Sequence, residues 1–170
     1  ARVPEEIVLL AIDQASIERY PEPLFLWHRY YSQAIEGLSR LGARAIAVDV
    51  AFAIPVERWA PGYDAALAQA FLDAQSKSRI VCGTAAPLST TQRRWPVPWN
   101  MLCSASGAGG FVNLRADEDD FIRTFEVWDA GGAQPSFAWA VARAYNAGLR
   151  RPSERILRIR HAGPAGTIRR

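Results

Sequence analysis

Apolar positions gather into three runs that do not alternate with polar ones: residues 7–13, 43–52 and 79–84. A strand with one wet face alternates with a period of two. Unbroken runs of this length therefore predict strands covered on both faces, the habit of parallel sheets. Between the runs the period becomes helical. Tyr31, Ile35, Leu38 and Leu41 recur at helical spacing, and Gly42 follows as a stop signal. Leu67, Ala70, Phe71 and Ala74 form a second stripe, with Asp64 placed to open that helix. Strands separated by connections of helical length predict right-handed parallel crossovers.

Beyond residue 84 the pattern loosens. Residues 85–108 hold Pro87, Pro96 and Pro98 and read as a long irregular segment. Residues 110–114 and 121–128 flank the acidic stretch 116–120, which predicts an antiparallel hairpin. A helix is expected from Pro135 to Tyr145, with Phe137, Val141, Ala144 and Tyr145 facing inward and Gly148 ending it. Residues 155–160 read as a last short strand. The fold class is α/β: a single domain over residues 1–170, with a mixed, mostly parallel central sheet flanked by helices. A C-terminal antiparallel hairpin–helix–strand extension follows.

Composition narrows the function classes. With 170 residues, 49% of them hydrophobic and 22% charged, the chain has enough apolar content for one core. Whole-chain disorder and coiled coil are excluded. The net charge is +3, and of 20 basic residues only Lys77 is a lysine. Residues 150–170 carry seven arginines against Glu154, so that segment is +6 and residues 1–149 are −3. The basicity is a property of the tail, not of a face spread with Arg and Lys as nucleic-acid binding requires. No signal-peptide pattern and no run of ~18 apolar residues occurs, and both ends look cut from a longer chain. Cys82 and Cys103 lie outside any CxxC, which argues against zinc; the reading favours two packed thiols, with a disulfide as the alternative.

Candidate chemistry gathers at the strand ends, where open parallel sheets bind ligands. Asp13 ends the first predicted strand and Asp49 lies near the end of the second. If those strands are neighbours, the two carboxylates share one edge; Asp64 can approach it, and Arg29 can neutralise it. Such a cluster suits a divalent cation, an acid/base pair, or a polar network shaping a small-molecule pocket. The structural alternative is that Asp13 and Asp49 cap loops and pair with Arg29. Trp27 and Phe52 are candidate pocket aromatics. The acidic stretch 117–120 lacks the full calcium-loop pattern and reads as a solvated turn. Residues 107–110 are glycine-rich but precede a predicted strand, which argues against a phosphate loop. His28 and His161 are the only histidines, and no catalytic triad stands out. A phospho-receiver reading of Asp49 fails because Lys77 precedes the third strand instead of following a late one.

These segments, in order, resemble the type-two CHASE domain. Residues 8–16, with Asp13 and Ser16, are similar to its opening VxAIDxxS, and residues 26–29 to the end of its WPWPR element. Residues 42–52 resemble its GA+xIxxDxxF strand, and Asp64 with Leu67 and Ala70 its D-xx-L-xx-A helix. Residues 110–113 with Asp117, Asp119 and Arg123 resemble its GfvN…DxDGxxR element, and Pro135 to Ala138 the start of its next helix. Residues 162–167 resemble its closing GPxGT. Asp120 stands where the family has glycine, Thr124 where it often has a second arginine, and the WPWP part is degraded.

The resemblance implies an extracytoplasmic sensory domain of a bacterial transmembrane receptor, on the periplasmic side of the inner membrane. The domain does no chemistry of its own and needs no cofactor or metal. The output module is a nucleotide cyclase, a histidine kinase or a similar enzyme. The expected partners are a small-molecule or protein stimulus, with homodimerisation open and nucleic acid excluded. The polar cluster to examine is Asp13, Ser16, Arg29, Asp49 and Asp64. The competing reading is a small α/β metal-dependent enzyme using Asp13 and Asp49.

Overall fold

The computed structural model describes residues 6–84 and 97–159. Three strands, β1 (Ala45–Val48), β2 (Arg79–Thr84) and β3 (Gly109–Phe111), form a parallel sheet in the order β1-β2-β3. Ile46 pairs with Ile80, and Cys82 with Gly109. Helix α2 (His28–Arg40) leads into β1, and α3 (Tyr63–Ala74) crosses from β1 to β2. A short helix, α1 (Gln14–Arg19), and a 3-10 turn over Leu24–Leu26 precede α2. Gly42, at φ +84°, ends α2 in the left-handed region that glycine adopts without a Cβ penalty.

The core lies on the sheet face bearing Ile46, Val48, Ile80 and Cys82, packed with Ile35 of α2, Leu67 and Phe71 of α3, and Trp99 and Cys103. Phe71 and Trp99 meet edge to face at 5.2 Å. The other face is covered by α5 (Phe137–Tyr145), which crosses all three strands. Gly110 of β3 makes that crossing close: a Cβ there would lie 2.6 Å from the Phe137 Cα. Central β2 is therefore buried on both sides at Ile80, Val81 and Cys82, as its unbroken apolar run predicts.

Four expectations need correction. Residues 7–13 form no strand; Ile7, Val8, Leu9, Leu10 and Ile12 are exposed, Val8 at 74%. An apolar run shows what a segment can bury, not which edge it pairs with, and here Asp13 turns the chain into α1. The irregular segment ends earlier than expected, because α4 spans Pro98–Ala105. Pro98 breaks no helix, since it stands in the first turn, where its missing N–H has no partner to lose. The hairpin does not form: β3 joins the parallel sheet, and β4 (Thr124–Glu126) pairs antiparallel with β5 (Ile156–Arg158). Finally, Cys82 and Cys103 are not free thiols. They form a disulfide tying β2 to α4, with Cα atoms 6.1 Å apart. Closing a loop over a separation of 21 residues stabilises the domain by about 3 kcal/mol in the chain-entropy account. Expectations at residues 85–96, at His161, at 162–167 and in the arginine tail from 160 onward lie outside the described residues.

The close crossing at Gly110 yields a paired prediction. Gly110→Ala puts a methyl group against the α5 backbone and should cost about 2–3 kcal/mol in urea unfolding. Gly37→Ala, in the middle of α2 with nothing within 4 Å of the new Cβ, should gain up to about 1 kcal/mol. Equal effects from the two substitutions would show that α5 does not pack against β3 as described.

Candidate functional site

Asp13, Asp64 and Arg29 each take different partners. Asp13 caps α1. Its Oδ1 accepts from the Ser16 N–H at 3.0 Å and the Ser16 hydroxyl at 2.8 Å, forming a capping box with both residues exposed or half-exposed. Asp49 follows β1 and is exposed, with its Cα beside Gly83 of β2, where a new Cβ would lie 3.2 Å away. No strand carries Asp13 to that edge. Among the described residues, no group of three His, Cys, Asp or Glu side chains is placed to hold a metal ion.

Asp64 is different. It lies in the first turn of α3 and is buried. Its Oδ1 accepts from the His28 Nδ1–H at 2.7 Å, and its Oδ2 accepts from the backbone N–H groups of Val56 at 2.8 Å and Glu57 at 3.0 Å. One carboxylate thus holds three donors from α2 and the loop before α3. Glu57 in turn accepts from the Gly62 N–H at the head of α3. His28 is also buried, with its ring edge-to-face against Phe52 at 4.8 Å. Burial lowers the His28 pKa below its ordinary value; the hydrogen bond and charge of Asp64 act in the opposite sense but do not outweigh it. The neutral ring carries its proton on Nδ1, the nitrogen that faces the carboxylate.

Arg29 meets neither Asp13 nor Asp49. It pairs with Glu22 at 3.0 Å, donates to the Tyr30 hydroxyl at 2.6 Å, and lies over the Tyr30 and Tyr63 rings. The Tyr30 hydrogen bond, with the Glu22 charge behind it, raises the guanidinium pKa further. Trp27 is buried beside this group, donates its indole N–H to the Glu22 carbonyl, and meets Tyr20 and Tyr30 edge to face. Phe52 is buried in the core against His28, Tyr31 and Trp99.

Sequence reasoning missed His28, Glu22 and Tyr63. His28 and Asp64 lie 36 residues apart, and no local spacing links them. The Pro21-Glu22-Pro23 punctuation was the one available signal for a fixed acid at 22.

The acidic turn belongs to Arg123, which bonds Asp117 at 2.9 Å and both carboxylate oxygens of Asp119 at 2.7 and 2.8 Å. That hydrogen bonding holds the Asp119 carboxyl below its ordinary pKa. Asp120 has φ +62°, the left-handed conformation a glycine would take without strain.

The fold and these groups define an α/β domain in which Asp13 caps a helix, Asp64 ties a loop to two helix heads, and Glu22, Asp117 and Asp119 pair with arginines. The chain belongs to the CHASE2 family: the family model described as the CHASE2 domain matches residues 1–168. CHASE2 domains are extracellular sensory domains of membrane receptors, not catalytic ones. No curated protein and no solved structure is significantly similar to the chain. Among the described residues, no helix is long and apolar enough to cross a membrane.

Two predictions follow from the Asp64 group. Asp64→Ala leaves three donors without their acceptor and should cost about 3–5 kcal/mol by denaturant titration. The pH response has a fixed sign. In the unfolded chain His28 takes a proton near pH 6.5, while in the fold it resists protonation. Its contribution is therefore complete above that pH and is lost as the pH falls toward the lowered folded value. Melting temperatures followed from pH 7.5 downward should fall, with a shallower slope in His28→Gln. An identical slope in that variant would remove His28 from the account.

Proposed function

We propose that residues 1–170 are the extracytoplasmic, stimulus-sensing part of a bacterial transmembrane signalling protein, and that its cytoplasmic output is a nucleotide cyclase, a histidine kinase or a similar enzyme. The observation that carries this reading is the Cys82–Cys103 disulfide in the core. Structural disulfides persist in oxidising compartments and are rare in the cytosol. The CHASE2 match over 1–168 points the same way. A sensor of this kind works by binding its stimulus unequally in two conformations, with the difference in affinity setting the shift it can drive.

The test uses the full-length parent in its own membranes. Alkylation before and after reduction should find both cysteines protected until a reductant is added. An alkaline phosphatase fusion placed after residue 159 should be active, and the purified parent should cyclise a nucleotide or phosphorylate itself. Free thiols together with an inactive fusion would place the domain in the cytosol. A parent with neither cyclase nor kinase activity would overturn the assigned output.

A further inference from the structure

A groove of about 450 Å³ lies between α5 and β2, within the size range of small-molecule sites. Arg79, Ile80 and Val81 line it from the start of β2. It therefore opens at the beginning of the strands, the end opposite to Asp49. From α5 it is lined by Trp139, Ala140, Arg143 and Ala144, and Trp128 closes another side.

Three independent features converge on it. First, its charge is of one sign. Arg79 and Arg143 line it, no Asp or Glu does, and neither arginine has an ion-pair partner among the described residues. Second, the indole N–H groups of Trp128 and Trp139, two of the lining residues, are buried and have no acceptor among the described residues. A buried donor without a partner is costly, and an acceptor supplied by a ligand would relieve that cost. Third, the α5 face offers alanine at 140 and 144, so the space is walled by apolar methyl groups and not filled by longer side chains.

We infer that this groove binds a small amphipathic anion. Its apolar body lies against the indole rings and alanines, and its carboxylate or phosphate group meets Arg79 and Arg143. A guanidinium presents paired N–H groups that match either oxyanion. The inference concerns binding alone and stands whatever output the parent carries.

Residues 1–170 can be titrated by calorimetry and tryptophan fluorescence with phenylacetate and phenyl phosphate, using phenethylamine and inorganic phosphate as controls. Saturable binding of at least one aromatic anion is expected, with a Kd below about 1 mM. The amine should not bind, and inorganic phosphate alone should bind at least about tenfold more weakly. Arg143→Gln should weaken the anion by about tenfold. Ala144→Leu should abolish binding by filling the groove, and a melt near that of the wild type shows that this loss is local. The proposal is overturned if neither anion binds, if the amine binds as well, or if both variants keep wild-type affinity.

Discussion

The arrangement around Asp64 is the constraint on which the helical side of the domain depends. A carboxylate buried in an apolar interior is costly unless its oxygens are met by donors. Here the donors come from His28 at the head of α2 and from the backbone at 56 and 57, just before α3. The carboxylate therefore fixes three things together: the start of α2, the course of the loop after β1, and the start of α3. Packing follows from it. With both helix heads set, Ile35, Leu67 and Phe71 fall onto the sheet face, and Phe52 is held between the His28, Tyr31 and Trp99 rings. Apolar packing supplies the bulk of the stabilisation, and the polar tie supplies the register.

A second polar arrangement lies next to the first and is built differently. Arg29 is half-exposed, and its partners are Glu22 and two tyrosine rings. An ion pair of this exposure contributes little by itself. Its role is geometric: Glu22 also accepts from the Tyr63 hydroxyl through its carboxylate and from Trp27 through its backbone carbonyl. The segment before α2 is thereby stitched to α3. His28 and Arg29 are adjacent in the chain, and one faces the interior while the other faces the rim.

Much of the architecture could be read from local pattern, because helices α2, α3 and α5 and strands β1 and β2 each carry the period of their own environment. What could not be read was pairing across the chain. The run at 7–13 has the composition of a buried strand, yet no strand pairs with it. The segments at 110–114 and 121–128 were adjacent in sequence and were expected to pair, whereas one joins the parallel sheet and the other pairs with β5. The polar residues failed in the same way. The place of Asp64 at the opening of α3 was legible, because helix starts are marked locally. His28 as the partner of Asp64 and Tyr63 as a partner of Arg29 were not, because each is distant in sequence from the group it serves. The Cys82–Cys103 bond was open from sequence alone, since it depends on α4 packing against the core face of β2.

The disulfide has a consequence beyond stability. It closes a covalent ring from residue 82 to residue 103. A protease that cuts once inside that ring produces no separate fragments: β1, β2 and everything before the cut stay bonded to α4, β3 and everything after it. Outside the cell, where hydrolases are abundant and a receptor cannot be refolded by cytosolic chaperones, one such nick would leave the molecule in one covalent piece. The stretch between the two cysteines can therefore be cleaved once without detaching the part of the domain that precedes it from the part that leads on toward the rest of the chain.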